Sequence, residues 1–323
     1  MSACAPAEPE VVTLKMVSAW PWDCKDLTAI REWVDRVNTA GAGVVQIDYL
    51  GAGEVFPSHE QAAPLQKGVI DLLFTSPSYG ADIFPEPLAT VWNFGASSVE
   101  FREAGLTDRI DEIGREKAGI GLLGIPWIGN FHIYTTKPIE KMEDLSRMRI
   151  RKVLLYSPIF KGIGIPAVEI KFSEVYTALE RGLIDGTTYP YHDITTYGWD
   201  EVCNYRIDPP ILRSCECPLM YNVASFDALP AQAKKILTDV VLDIERDAAN
   251  IYDAQSLEEW KELKAGGMEV IWLTDEEWYQ MQEFNWVNGK ELFQELAPDH
   301  ADELFDMLSV FYPPKQVFPS FGD

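Results

Sequence analysis

Arg149-Ile150-Arg151 opens the segment that decides how this chain is read. Phe172-Ser173-Glu174-Val175-Tyr176-Thr177-Ala178-Leu179-Glu180-Arg181-Gly182-Leu183-Ile184-Asp185-Gly186-Thr187-Thr188-Tyr189-Pro190 closes it. A short basic strand (Met148 to Val153) is followed by a helix from Phe172 to Arg181, with Ser173 as the expected N-cap and Gly182 at the stop. An aromatic-rich loop comes next. In a strand, Arg149 and Arg151 share one face and Ile150 takes the other. An arginine fork grips a carboxylate through two parallel, charge-assisted hydrogen bonds. The competing reading is a solvated or salt-bridged surface strand, which spacing alone does not exclude.

Working outward from this segment, the N-terminal third alternates strands and helices. Val11 to Ala19 reads as a buried strand ending at Trp20-Pro21-Trp22. Leu27, Ile30, Val34 and Val37 recur at helical spacing until Gly41 and Gly43. Strands at Val44 to Leu50 and Val69 to Thr75 flank a short helix at Gln61 to Gly68. This rhythm predicts a mainly parallel sheet with helices on its faces. A second sheet is expected from Gly119 to Pro126, Phe131 to Thr135 and the Arg149 strand, and Leu219 to Ala224 reads as a strand returning toward the first lobe. From Pro230 to Lys264 an apolar stripe, including Leu237, Ile244, Leu257 and Trp260, predicts one helix of about 50 Å at ~1.5 Å per residue. Thr274 and Glu277 form a capping box for the next helix.

Bulk properties narrow the function. A net charge of −24, from 27 basic and 51 acidic residues, argues against nucleic acid, which needs a basic footprint. It also means that an anionic ligand needs a local cationic site. No apolar run reaches the ~18 residues of a membrane span. G-x-S-x-G, H-E-x-x-H, P-loop and G-x-G-x-x-G signatures are all missing, which argues against an enzyme. The five cysteines (4, 24, 203, 215 and 217) show no zinc spacing. Cys215 and Cys217 share a strand face, and a disulfide among the last four is open in an oxidising compartment. Ser2-Ala3-Cys4 followed by a proline-rich tether is similar to the cleavage end of a bacterial lipoprotein signal, so lipidation of Cys4 stands beside an ordinary frayed terminus.

The Arg149–Pro190 segment, with its F-S-E-V-Y-T-A-L-x-x-G-x-I-D-G run, resembles the diagnostic segment of substrate-binding proteins serving tripartite ATP-independent periplasmic (TRAP) transporters. Tyr49-Leu50-Gly51, Leu65-Gln66-Lys67-Gly68-Val69-Ile70-Asp71, Lys137-Pro138-Ile139 and the long helix after Asp227-Ala228-Leu229-Pro230 extend the resemblance over most of residues 11–310. It implies an α/β, two-lobed periplasmic-binding-protein-like fold with hinge strands and a long lobe-spanning helix. Residues 1–10 would be a tether. The first lobe would comprise 11–133 with 223–262, and the second 134–222 with 263–323 and the C-terminal helices. The implied protein is periplasmic. It captures a small organic acid without turnover, needs no cofactor and delivers the acid to a membrane permease.

By resemblance, Arg151 grips the ligand carboxylate, Phe172 lines the pocket, and Arg149 stays outside. The family loop usually reads G-Q-E-N-P, with its asparagine on the ligand; here Tyr189 holds that position. His132 stands where many members carry a second arginine. Trp20, Trp22, Ser76 and Tyr191 complete the candidate ligand-binding set. These exchanges of polar groups for rings predict a monocarboxylate with an aromatic or bulky apolar body. Some relatives bind the carboxylate through a metal; Glu216 with Gln46 or Asp48 is the only candidate set, and its spacing does not demand one. Two other readings remain. One is an enzyme using His132 as acid/base with Arg151 holding substrate. The other is a sensing module that reports closure to a receptor.

Overall fold

The computed structural model describes residues 11–92, 94–190 and 192–312. Cys4 and Tyr191 therefore lie outside the described residues. Nine strands form one sheet: β1 (Val12–Ser18), β2 (Val45–Gly51), β3 (Leu72–Phe74), β4 (Ile120–Thr135), β5 (Ile150–Arg151), β6 (Ala167–Val168), β7 (Gly186–Pro190), β8 (Tyr205–Asn222) and β9 (Glu269–Trp272). Their order is β2-β1-β3-β8-β4-β7-β5-β6, with β9 on β8.

In the first lobe β1 pairs in parallel with both β2 and β3, as the β-α-β rhythm predicts. Helix Thr28–Ala40 buries Ile30, Val34 and Val37 against that sheet, and Leu27 joins them from the preceding turn. The expected second sheet is a continuation of the first. Gly119–Pro126 and Phe131–Thr135 belong to the single strand β4, which runs antiparallel to β8 from Ile120–Asn222 to Thr135–Tyr205. At one end of that ladder β3 joins β8, and at the other β7 joins β4 and β9 joins β8. Two long strands thus carry hydrogen bonding through both lobes. Register shifts between Gly124 and Trp127 and between Gly129 and Ile133 bend them on the way.

The long helix spans Ala231–Ala265. Its N-terminal part buries Leu237, Val241 and Ile244 in the main core, and Trp260 and Leu263 enter a second cluster with Tyr134, Leu179 and Trp199. Gly124 permits its close approach to β4: a Cβ there would meet Glu245 and Val241 at 2.7 Å. Leu257, expected on the buried stripe, is 44% exposed. The i+4 progression from Ala248 through Tyr252 and Ser256 to Trp260 instead buries Ser256 and Glu259. Glu259 is fully buried and bonded to Lys25 of the first lobe and to the Thr195 N–H (2.7 Å) and hydroxyl (2.8 Å) of the second. The Thr274–Glu277 capping box forms as expected. No helix among the described residues is long and apolar enough to cross a membrane.

Within the opening segment, Ser173 lies inside a 3-10 turn (Phe172–Glu174) ahead of helix Val175–Glu180, so it does not cap that helix. Gly182 adopts φ +62°, the left-handed stop. Asp185 of the I-D-G run anchors β5. It accepts from the Arg149 backbone N–H (3.0 Å) and Nε (3.0 Å), and from Lys137 Nζ (3.2 Å). The Arg149 guanidinium beside it holds its carboxyl at about 2. Because this value lies below the ~3.9 of an unfolded aspartate, the clamp contributes fully above about pH 4 and is lost as pH falls toward 2. Urea unfolding across that range should show the loss in the wild type. Asp185→Asn should be less stable at pH 7 and should flatten this limb; an unchanged acid limb would remove the assignment.

Candidate functional site

The carboxyl ends of β1, β3, β5 and β7 converge on one cleft between the lobes, the position at which open α/β sheets bind ligands. The first lobe contributes Trp20 and Asp26 beyond β1, and Ser76, Pro77 and Tyr79 beyond β3. From the second come Arg151, Val153, Leu155, Tyr156, Phe172, Tyr189 and Pro190. Trp127, Phe131, Cys215 and Cys217 of the two crossing strands form the floor. A broader, open depression lies between helices Ser157–Ile163 and Asp275–Leu296. Its Lys161 is already paired with Glu291 at 2.8 Å.

Arg151 ends β5, where alternation sends Ile150 into the core. Arg151 as a whole is 2% exposed. Its Nε donates to the Ile170 carbonyl (3.0 Å), and Phe172 lies 5.7 Å from its Cζ. Among the described residues it has no carboxylate within salt-bridge distance. Arg149, by contrast, is half-exposed and engaged by Asp185, so the two arginines do not act together. Burial raises the Tyr79 phenol, and the adjacent Arg151 opposes that rise.

Tyr189 lies 5.6 Å from the Phe172 ring and 5.0 Å from Trp199. Its hydroxyl donates to Asp26 Oδ2 at 2.5 Å, while His192 Nε2 lies 2.9 Å from Oδ1. The two contacts join β7 and the residues just after it to the turn after β1. Behind Asp26, Asp193 accepts from the Asp26 N–H (3.3 Å) and from the Tyr197 hydroxyl (3.4 Å). Burial, then the Asp26 carboxylate, push its carboxyl up to about 8. Cys24, Asp26 and Asp193 each bring one possible metal-ligand atom within 4.8 Å of the others. These hydrogen bonds account for their proximity.

Of the expected site residues, Arg151, Phe172, Tyr189, Trp20 and Ser76 line the cleft together. Trp22 does not; its ring packs on Tyr49, with centroids 4.1 Å apart. His132 also lies outside the lining, because Phe131 faces the cleft and the next residue of β4 must face away. Its Nδ1 sits 2.6 Å from Asp208 and 3.1 Å from the Ile207 carbonyl. Asp208 is in turn paired with Arg206 (2.7 Å), whose guanidinium lies 4.0 Å over Trp260. Burial would raise the Asp208 carboxyl, but His132 and Arg206 bring it below the ordinary value.

The imagined metal set does not assemble. Gln46 and Asp48 are exposed on β2, with β1 and β3 between them and Glu216, which is fully buried on β8. Cys24, Cys203, Cys215 and Cys217 are all free, buried thiols. Sequence reading missed Asp26, Tyr79, Trp127, Phe131 and Tyr156. Only the position of Asp26 just after the first strand, beside Trp20 and Trp22, pointed toward one of them. His132→Ala should lower unfolding stability by about 1–3 kcal/mol, since it takes a partner from a buried carboxylate. Ligand affinity should stay within about twofold; calorimetry showing a larger loss would return His132 to the ligand site.

Residues 18–295 match the family model for bacterial extracellular solute-binding protein, family 7. A monocarboxylate 2-oxoacid-binding periplasmic protein from Nostoc is 22% identical, the match covering 95% of this chain and 85% of that one. A TRAP periplasmic solute-binding protein from Desulfovibrio desulfuricans, solved with sn-glycerol-3-phosphate, superposes with a TM-score of 0.80 at 20% identity, covering 96% of this chain and 100% of the other. Another, from Desulfovibrio salexigens with orotic acid, gives 0.79 at 17% identity, covering 92% and 97%. With the two lobes, the crossing strands and a match over most of its length, the chain belongs to family 7 of the bacterial extracellular solute-binding proteins.

Proposed function

We propose that this protein captures a small carboxylate with an aromatic or bulky apolar body and hands it, unchanged, to a TRAP membrane permease. One observation carries the reading: a buried arginine, Arg151, in a ring-walled cleft between lobes, with no carboxylate partner among the described residues. Leaving a buried charge unpaired is costly, so the site favours an anion that brings its own counter-charge. The acids named for two of the relatives support this, as 2-oxoacids and orotate each offer a carboxylate. Trp20, Phe131, Tyr156, Phe172 and Tyr189 supply flat apolar walls for the body of such a ligand.

The enzyme reading loses support because His132, its acid/base, lies outside the cleft lining and is engaged by Asp208. We also place the lobe boundaries within β4 and β8 rather than at their ends. Residues 217–222 then join the first lobe, because Leu219–Tyr221 pair with β3.

Calorimetry of the purified protein against an organic-acid library provides the test. A bound acid should lose about 3–5 kcal/mol of affinity in Arg151→Ala, the magnitude for breaking a buried charge pair. Arg151→Lys should recover part of that loss, since an ammonium keeps the charge but not the two-pronged geometry. Affinity unchanged in Arg151→Ala would overturn the assignment. Succinate or malate binding tightly while every aromatic acid fails would overturn the ligand class.

A further inference from the structure

The cleft contains a second formal charge besides Arg151. Asp26 is 1% exposed and lines the same cavity. Arg151, Asp26 and the Tyr79 phenol all line this one space. They are not paired with each other. Among the described residues Asp26 has no lysine or arginine partner; its oxygens accept from the Tyr189 hydroxyl and from His192. Each carboxylate oxygen has a second acceptor position, so two of about four remain. A cavity with a separated cation and anion, walled by rings, is complementary to a ligand with the same separation.

Resting on the carboxylate reading above, we propose that the cargo carries a hydrogen-bond donor besides its carboxylate, an ammonium or a hydroxyl, which Asp26 receives while Arg151 holds the acid. Tyr189 and His192 position the Asp26 carboxylate for this task. Asp193 lies behind it, and burial together with the Asp26 carboxylate raises its carboxyl, which weakens its share of the negative field. A donor-bearing acid therefore meets one acceptor and one cation, matched in number to its own groups. A plain acid of the same body leaves the acceptor positions of a buried carboxylate without a donor.

The test compares 3-phenylpropionate, phenyllactate and phenylalanine, which share a body and differ in the group beside the carboxylate. Calorimetry on the wild-type protein should show at least one donor-bearing acid binding about tenfold or more tighter than phenylpropionate, the value of one hydrogen bond to a charged group. Phenylalanine leading assigns an ammonium, and phenyllactate leading assigns a hydroxyl. Asp26→Asn should compress this ratio to within about threefold while phenylpropionate still binds. The ratio among the three acids on the wild-type protein carries the test by itself if Asp26→Asn folds poorly. Equal binding of all three acids overturns this inference and leaves the carboxylate reading standing. Binding of none overturns this inference for an aromatic cargo, and the carboxylate reading then stands or falls on Arg151→Ala.

Discussion

The antiparallel ladder between β4 and β8 is the constraint on which the rest of the molecule depends. Both strands are long enough to serve two lobes, so each lobe is completed by strands that the other also uses. The ladder fixes where β3, β7 and β9 attach, and so where the parallel strands end. Those ends define the cleft. Its floor is the stretch of ladder where register shifts interrupt regular pairing, and Trp127, Phe131, Cys215 and Cys217 project from there. A site built on bent but continuous strands can change the angle between its walls without breaking either core. That is the mechanical requirement for closure about a hinge. The long helix limits such motion from outside, because Glu259 ties it to Lys25 on one side and Thr195 on the other.

Electrostatics reinforce that geometry. With a net charge of −24, the surface as a whole does not draw anions. Recognition must come from a local cation removed from solvent, where it is screened least. Arg151 meets that condition, held by the Ile170 carbonyl and the Phe172 ring. On the proposed reading, closing the lobes over an acid would exchange water around this guanidinium for a carboxylate. The closed form would then have differential affinity for the ligand, the property that a closed-form-selective partner requires.

Much of the architecture was legible because it is written in local patterns. The first three strands, the helix over Val34 and Val37, the long helix and the Thr274 cap follow from periodicity and capping chemistry within short windows. Arg151 and Phe172 were legible because they sit in a contiguous motif. Asp26 was not, since its partners Tyr189 and His192 are more than 160 positions away and only the folded sheet brings them together. His132 misled because its pleat phase depends on which face of β4 meets the cleft, and Phe131 takes that face. Glu259 and Leu257 exchange places for a similar reason. A stripe fitted to apolar residues drifted off the face that helical geometry buries, where a charged group is held by Lys25 and Thr195.

Tyr189 shows how one such departure reshapes a site. This chain places there a ring whose hydroxyl is engaged by Asp26 across the cleft. On the proposed reading, polar recognition would lie with the first lobe, because the acceptor lining the cavity is the carboxylate that this hydroxyl contacts. The same hydrogen bond joins the turn after β1 to the end of β7, so cleft shape and the orientation of its anionic wall are set together. A ligand that engages Arg151 and Asp26 would hold both lobes at once, binding the second through its acid and the first through its donor.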